Sequence, residues 1–258
     1  MMIEIVLGCG ENKNSLLASE IANENNDLHV KLAYNDEELV AAMTNNEIDA
    51  VIRGSLKSSN ILKNIRDLYS DKAIYRVSYI KNEIGGKEYE FLLAPVGIDE
   101  GISLDEKLDI TTKAIDFMLR LGKNPKIAIL AGGRKEDLGR SCDINKSIKD
   151  SEDLTKKVNE LIANSRKYQD KDITLKNYYI LIEKAIKENN NIIIAPDGIS
   201  GNIIFRTLVL VNSWHSYGAI ALGIDKIFID TSRDQSIEGY LRSINFAYEL
   251  AKERKKVE

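Results

Sequence analysis

The segment IIIAPDGISGNI at residues 192–203 joins a short β-branched run to a helix-forming run through a turn. Its first four residues are typical of a buried strand, Pro196-Asp197-Gly198 is typical of a tight turn, and residues 201–211 have the apolar content of a packed helix. The same order recurs along the chain. It predicts βαβ units, in which a mainly parallel sheet is covered by helices on both faces.

Applied to the whole chain, this pattern gives eight strands and eight helices. The predicted strands are residues 3–7, 29–33, 50–52, 74–79, 89–94, 126–130, 192–195 and 226–229. The predicted helices are residues 15–23, 37–45, 60–69, 105–121, 152–165, 176–188, 201–211 and 236–256, with residues 213–222 also read as helical. Residues 74–94 are the exception, since two strand-like runs joined by Asn82-Glu83-Ile84-Gly85-Gly86 predict an antiparallel hairpin.

Two breaks in the pattern predict two lobes. LGKNP at residues 121–125 has glycine after a helix and proline before a strand, and Gly223 separates two further elements. We therefore expect an outer α/β lobe of residues 1–123 plus 223–258, into which a second α/β lobe of residues 124–222 is inserted.

Composition excludes several classes of protein. The 258 residues are 43% hydrophobic and 29% charged, the balance of a folded soluble chain, and 36 basic against 40 acidic residues give a net charge of −4. A general nucleic-acid binder carries a basic surface instead. Cys9, Cys142, His29 and His215 lack the spacing of a metal site. Few cysteines, no signal peptide and no apolar run long enough to cross a bilayer predict a cytoplasmic protein without nucleic-acid, membrane or metal partners.

Ligands of open α/β folds sit where strands end and loops lead into helices. Five such loops carry polar or glycine-rich sequence: GCGEN at residues 8–12, RGSLKSS at 53–59, AGGRKEDLGR at 131–140, APDGISGNI at 195–203 and DTSRDQS at 230–236. The first is either a plain tight turn or a phosphate-binding turn, and Cys9 within it has no nearby histidine to activate it as a nucleophile.

Two of the loops have the composition of an anion site. In the 53–59 loop, hydroxyls at a helix start are usually caps, but two cations, a glycine and three hydroxyls exceed what capping requires. There the candidate ligand-binding residues are Arg53, Gly54, Ser55 and Lys57. In the 230–236 loop, Ser232 and Arg233 can clamp an oxyanion or phosphate, whereas the alternative is that Arg233 merely pairs with Asp234.

In the remaining two loops, both a ligand-binding role and a purely structural role are consistent with the sequence. Gly133 and Arg134 follow a predicted strand, although a surface loop would have similar sequence. In the 195–203 loop, Asp197, Gly201 and Asn202 lie where a ligand could approach, although turn chemistry explains part of this string.

Three of these strings occur in the order found in the phosphate acetyltransferase/butyryltransferase family. IRGS at residues 52–55, followed by Ser58-Ser59, resembles the family's SGA turn. PDGISGNI at 196–203 resembles its PDxxxGNI segment and the DGFxGN segment of the acyl-phosphate synthase PlsX. DTSR at 230–233, followed by SIE at 236–238, resembles its DLSRG-SVED segment. The resemblance implies an isocitrate/isopropylmalate dehydrogenase-like fold, with two three-layer α/β lobes and a central cleft, and a homodimer.

Within this superfamily, the short length and the opening LGCGENKN at residues 7–14 are most similar to the methanogenesis marker protein 4 group (MtxX), whose members are named as methyltransferase subunits. The family's Ser-Arg pair, which binds the acyl phosphate or CoA thioester, corresponds to Ser232 and Arg233, the catalytic candidates. Lys63 takes the place of a family arginine, if one residue is gapped, and Lys57 takes that of a histidine. The family's catalytic aspartate corresponds to Gly239, which cannot move a proton.

The resemblance thus implies a phosphate acetyltransferase-like protein of methanogens that binds a small anionic, acyl-phosphate or CoA-like ligand between its lobes. Its acyl- or phosphoryl-transfer chemistry would differ from the family's because of Gly239. No cofactor is assigned, and a CoA-like or phosphorylated molecule is the candidate ligand. One alternative is an accessory subunit of a corrinoid- or pterin-linked methyltransferase, with methyltransferase subunits as partners. Another alternative is a nicotinamide-dependent dehydrogenase. Such enzymes generally bind a divalent metal through acidic residues, and Asp197 is the candidate carboxylate at a strand end. We find no glycine-rich S-adenosylmethionine motif followed by an acidic ribose-binding residue.

Overall fold

The computed structural model describes residues 2–257 and, within them, an alternation of strands and helices. The strands are β1 Ile3–Gly8, β2 Leu28–Ala33, β3 Ala50–Ile52, β4 Tyr75–Ile84, β5 Lys87–Ala94, β6 Lys126–Leu130, β7 Thr174–Tyr179, β8 Ile192–Ile194, β9 His215–Leu222 and β10 Ile227–Asp230. The helices are α1 Asn14–Ala22, α2 Asp36–Thr44, α3 Ser58–Leu68, α4 Leu104–Arg120, α5 Cys142–Asn164, α6 Ile182–Lys187, α7 Gly198–Phe205 and α8 Ile237–Val257. Single 3₁₀ turns lie at Lys135–Asp137 and Arg166–Tyr168, and α7 continues as a π-helical segment, Arg206–Val211.

Two helical predictions are wrong. Residues 176–188 form most of β7 and the short α6, and residues 215–222 form β9. Both regions become strands because each has a partner distant in sequence: β7 pairs in parallel with β6, and β9 pairs antiparallel with β10. Local sequence period does not report such pairing, which overrides helix propensity.

The residues of the chain separate into two compact units, the first comprising Met1–Ile74 with Ser216–Glu258 and the second Tyr75–His215. In the first unit the strand order is β2-β1-β3-β10-β9. The strands from β2 to β10 are parallel to their neighbours, and β9 is antiparallel to β10. All four parallel strands therefore end at the same edge of the sheet.

Helices cover both faces of this sheet. Val6 and Val51 pack into a core with side chains of α2 and α3, among them Leu39 and Ile61. Because side chains alternate along a strand, the neighbours of Val6 point to the opposite face, where α1 packs on α8 and α8 packs on β1, β3 and β10. The loops after β1 and β3 consequently leave the sheet towards opposite faces. This is the switch point at which doubly wound sheets bind ligands.

In the second unit the strand order is β4-β5-β8-β6-β7. The predicted hairpin is present: β4 and β5 are antiparallel, and Gly85 and Gly86 between them both have positive φ, 60° and 78°. Two such residues form the type I′ turn that matches strand twist. The other neighbours in this sheet are parallel.

The division by contacts differs from the sequence-based boundary at 123/124. Residues 75–123 lie with the second unit because β5 pairs in parallel with β8 and α4 packs on β8 and α5. The sequence break at LGKNP is real as an element boundary, since α4 ends at Arg120 and β6 begins at Lys126.

Candidate functional site

A pocket of about 550 Å³ lies at the carboxyl ends of the parallel strands of the first unit. It is bounded by the loops that follow β1, β2, β3 and β10. Its lining residues are Gly10, Glu11, Asn12, Tyr34, Asn35, Asp36, Glu37, Ser55, Leu56, Lys57, Asn60, Arg233 and Asp234. The volume is within the range of about 300–1,000 Å³ that small-molecule sites occupy.

The floor of this region depends on two glycines whose backbones touch. A Cβ added to Gly54 would lie 1.8 Å from the carbonyl oxygen of Gly8, and one added to Gly8 would lie 2.0 Å from that of Arg53. Gly54 also has a φ of +63°, which side chains other than glycine rarely adopt. The role of Gly54 in the structure is therefore to let the ends of β1 and β3 meet.

Ser55 ties the same two loops together with its side chain. Its Oγ accepts a hydrogen bond from the backbone N–H of Gly10 at 2.7 Å and lies 2.9 Å from the hydroxyl of Ser15. It also lies 3.2 Å from the carbonyl oxygen of Asn12, to which it can donate. Since these partners occupy the hydroxyl, Ser55 shapes the pocket rather than presenting a free group to it.

Arg53 points into the protein and binds the ends of two strands together. Its Nε donates to the carboxylate of Asp230, and its two terminal nitrogens donate to the carbonyls of Leu56 and Thr231. Only 7% of the side chain is exposed. The guanidinium that the sequence suggests as an anion ligand is thus used within the chain, where it joins the loops after β3 and β10.

The loop after β10 is held from two sides. The carbonyl of Arg233 accepts hydrogen bonds from the Asn12 side chain at 3.0 Å and from the Tyr240 hydroxyl at 2.8 Å. The carbonyl of Gln235 accepts from Asn12 and from Asn14. Burial raises the pKa of Tyr240 to about 12, so its hydroxyl keeps the proton that it donates at neutral pH. The backbone beside the pocket is therefore fixed before any ligand arrives.

Six charged side chains line the pocket. They are Lys57, Arg233, Glu11, Asp36, Glu37 and Asp234, none of which makes a side-chain hydrogen bond or ion pair with the side chains that the structure describes. Lys57 and Arg233 are exposed, although the backbone of Arg233 is anchored. The pocket therefore offers two cations and four carboxylates.

Ser232 and Gly239 lie next to the pocket wall rather than in it. The pocket wall at this point is formed by Arg233 and Asp234, while the carbonyl of Ser232 accepts from the Tyr240 hydroxyl at 3.1 Å. Gly239 is in the first turn of α8, where a Cβ would lie 2.4 Å from the side-chain amide of Gln235. Lys63 is an exposed residue of α3 outside the pocket lining.

The candidates of the second unit have structural partners of their own. Asp197 caps α7 by accepting from the N–H of Ser200 at 2.7 Å, and the Asn202 side chain donates to the carbonyl of Val96. A Cβ on Gly201 would lie 1.8 Å from the carbonyl of Pro95, so that position requires glycine.

The loop after β6 is also packed on its own unit. Gly133 is buried against the side chain of Ile144, and the N–H of Arg134 donates to Asp137. The side chain of Arg134 is at an exposed position.

The sequence-based candidates do not include the residues that form one wall of the pocket. Tyr34, Asn35, Asp36 and Glu37 follow β2 directly, and all four line the pocket. The strand-end rule applies to this loop as much as to the other five, and two carboxylates immediately after a predicted strand are the signal that could have revealed it.

The order of the strand-end loops can be compared with known proteins. Residues 18–247 match the sequence profile of the family described as phosphate acetyl/butaryl transferase. The chain belongs to this family. The match covers most of the first unit and all of the second, and it includes the loops after β3, β8 and β10.

Relatives in methanogens are similar over most of their length. The chain is 39% identical to "Putative methyltransferase mtx subunit X" of Methanosarcina mazei over 219 residues, 83% of this chain and 72% of that one. It is 35% identical to an uncharacterized methyltransferase of Methanocaldococcus jannaschii over 256 residues, 95% of this chain and 97% of that one. The resemblance to the MtxX group predicted from the sequence is confirmed.

Solved structures show the same fold. A branched-chain phosphotransacylase from Enterococcus faecalis aligns with a TM-score of 0.71 over 96% of this chain and 99% of its own, at 15% identity. A β-decarboxylating dehydrogenase from Thermococcus kodakarensis aligns with a TM-score of 0.51 over 98% of this chain and 84% of its own, at 10% identity. The predicted α/β, isocitrate/isopropylmalate dehydrogenase-like fold class is confirmed.

Residues 2–257 hold neither a candidate metal cluster nor a candidate membrane-spanning helix. In that range no three histidine, cysteine, aspartate or glutamate side chains are grouped so that they could hold a metal ion. Among the helices described, none combines the length and apolar character needed to cross a bilayer.

Proposed function

We propose that this protein binds a small ligand bearing a phosphate or acyl-phosphate group in the pocket of its first unit and acts as an acyl- or phosphoryl-handling transferase. The observation that carries the proposal is the presence of two available cations, Lys57 and Arg233, in one pocket at the carboxyl ends of parallel strands. Cations at strand ends suit an anionic ligand because charge-assisted hydrogen bonds to phosphate are strong, and the backbone of Arg233 is already fixed.

The assignment of roles follows from the contacts. Lys57 and Arg233 face the ligand, with Ser232 beside them as a hydroxyl that can donate to the reacting oxygen. Arg53, Gly54 and Ser55 position the two loops, and they act through these loops rather than by touching the ligand. Family membership supports an acyl-phosphate or CoA-like ligand.

Ordinary acetyl transfer between CoA and phosphate is expected to be weak. The resemblance to the family's DLSRG-SVED segment implies that Gly239 corresponds to the catalytic aspartate, and glycine cannot accept the thiol proton. An assay of acetyl phosphate formation from acetyl-CoA and phosphate tests this directly. Full family-like turnover would overturn the altered chemistry, while binding without turnover supports it.

Replacing Lys57 or Arg233 with alanine is expected to weaken acetyl phosphate binding about tenfold or more, because a hydrogen bond to a charged group is worth about 1.5–3 kcal/mol. Isothermal titration calorimetry measures the affinities. Lys252→Ala removes an exposed cation of α8 outside the pocket and is the matched control. Unchanged affinity in both pocket variants would contradict the assignment of the site.

A second candidate function is an accessory subunit of a methyltransferase system. It is favoured by the names of the methanogen relatives, one of which is called a methyltransferase subunit, together with the missing proton acceptor at position 239. Copurification with methyltransferase subunits from methanogen extract, retained at high salt, would support it. Elution of the protein alone, with tight binding of an acyl phosphate, would favour the transferase.

We also propose that the protein is a homodimer whose subunits meet through α7 and its π-helical continuation. Ile199 and Ile203, one helical turn apart, and Leu210 and Val211 further along are 53–80% exposed. Several exposed apolar side chains on one helical segment are typical of an interface. A second copy of the chain suits this face, because its apolar side chains can pack against the same side chains of another subunit. Among residues 198–211, Arg206 is the one charged residue.

The double variant Ile199→Glu, Ile203→Glu is expected to be monomeric, because two carboxylates per subunit would be brought together in the interface. Light scattering coupled to size-exclusion chromatography gives the mass in solution. The control is Ile21→Glu, which changes an exposed isoleucine of α1 in the other unit. A monomeric unsubstituted protein, or a dimer that survives the double change, would contradict the proposal.

A further inference from the structure

The pocket of the first unit carries charges of both signs. Lys57 and Arg233, here called the basic wall, belong to the loops after β3 and β10, whereas Asp36 and Glu37, the acidic wall, belong to the loop after β2. Glu11 and Asp234 add one carboxylate each on the loops after β1 and β10. A simple anion would use the basic wall and be repelled by the other. The acidic wall therefore indicates a ligand that also carries hydrogen-bond donors.

The acidic wall is held in place without using its own carboxylates. The Asn35 side chain caps α2 by accepting from the N–H of Glu38 at 2.9 Å. The Glu38 carboxylate accepts from the N–H of Tyr34 and from the Asn35 amide, both at 2.8 Å. Asp36 and Glu37 are left to face the pocket from a fixed turn, since neither carboxylate pairs with any side chain that the structure describes.

Carboxylates in this position have a chemical partner of known type. An ionised carboxylate only accepts hydrogen bonds, and two oxygens can take both hydroxyls of a vicinal diol. In doubly wound folds an acidic residue after the second strand binds the ribose of a nucleotide, while the turn after the first strand lies against its phosphates. Here the Gly8-Cys9-Gly10 turn follows β1, and Asp36 follows β2 by three residues, although the turn lacks the third glycine of the dinucleotide-binding motif.

Tyr34 adds a surface for a base. It lines the pocket two residues before Asp36 and is 63% exposed, so its ring is accessible to a ligand. An exposed phenol ring can stack with any nucleobase, and such stacking is worth about 1–3 kcal/mol.

We propose that this pocket binds a ribonucleoside 5′-phosphate with a free 2′,3′-diol. Asp36 and Glu37 accept the two hydroxyls, Tyr34 stacks on the base, and Lys57 with Arg233 hold the phosphate. The inference rests on the proposed function for its basic wall and narrows the ligand class. It also distinguishes the ligand from CoA, whose ribose carries a 3′-phosphate that Asp36 and Glu37 would repel.

Calorimetric titration with adenosine 5′-monophosphate, adenosine 3′-monophosphate and acetyl phosphate tests the inference. The 5′-monophosphate is expected to bind at least tenfold more tightly than either of the others. The double variant Asp36→Asn, Glu37→Gln is expected to lose at least tenfold in affinity for the 5′-monophosphate and to keep its affinity for acetyl phosphate. Lys57→Ala is expected to lose affinity for both. Glu20→Gln, an exposed change on α1 outside the pocket lining, is the control.

The outcomes separate this inference from the function on which it rests. If acetyl phosphate binds through Lys57 but the 5′-monophosphate binds no better, the nucleoside assignment is overturned and the anion site stands. If the 5′-monophosphate binds tightly and the double variant does not weaken it, the diol assignment is overturned. If neither compound binds to the folded protein, both proposals fail. Urea unfolding of each variant establishes that it is folded.

Discussion

Replacing Arg53 with alanine is expected to lower the free energy of unfolding by about 3–5 kcal/mol, the range for removing one partner of a buried ion pair. The Arg53 and Asp230 side chains are 7% and 13% exposed, so the Asp230 carboxylate would lose the Arg53 guanidinium at a largely buried position. The carbonyls of Leu56 and Thr231 would lose their donors as well. Urea-induced unfolding followed by circular dichroism measures the change.

Arg233→Ala is the matched control for this prediction. Arg233 is an exposed arginine three residues beyond Asp230, and the structure describes no ion pair for it. Its loss is expected to change stability by less than about 0.5 kcal/mol. Equal effects of the two substitutions, or a loss under 1 kcal/mol for Arg53→Ala, would show that the Arg53 ion pair does not stabilise the fold as described.

Gly54→Ala is expected to destabilise the protein by about 3–5 kcal/mol, because it combines an unfavourable backbone conformation with a collision between two backbone segments. The added Cβ would lie 1.8 Å from the carbonyl oxygen of Gly8, and the backbone at both positions is tied into strand ends. Either β1 or β3 must shift, and the pocket above them must change shape with it.

Gly85→Ala separates the two causes. Gly85 has a φ of +60°, close to the +63° of Gly54, but nothing lies within 4 Å of its would-be Cβ. This substitution is expected to cost about 1–2 kcal/mol from backbone strain alone. Thermal unfolding of both variants gives the difference, and equal losses would mean that the contact between Gly8 and Gly54 carries no energetic weight.

Much of the fold could be predicted from local sequence, and the exceptions have a common cause. The parallel strands β1, β3 and β6 were predicted within one residue of their observed ends because short β-branched runs bounded by turns have few other interpretations. β9 was read as helical because Tyr217 to Leu222 is a short apolar run without a clear period, which strand and helix share. Pairing with β10 makes this run a strand, and local sequence does not show which strands pair.

The site was predicted at the level of loops and not at the level of side chains. The loops at residues 8–12, 53–59 and 230–236 do meet at one edge of the sheet, as the strand-end rule requires. Whether Arg53 points outward or inward depends on Asp230, which is 177 residues away. Composition alone made Arg53, Lys57 and Arg233 equivalent, and the structure distinguishes them by their partners.

The discontinuity of the first unit has a consequence for its biosynthesis. Synthesis proceeds from the amino terminus, and domains tend to fold as units while the chain emerges. Residues 75–215 leave the ribosome as an uninterrupted unit, whereas the first unit has to wait for residues 216–258, which supply β10 next to β3 and the Asp230 that Arg53 binds. Until residues 227–231 have been synthesised, the Arg53 guanidinium lacks two of its three native acceptors and the edge of β3 that faces β10 is unpaired. A nascent chain stalled before β10 would thus be the form most dependent on chaperones.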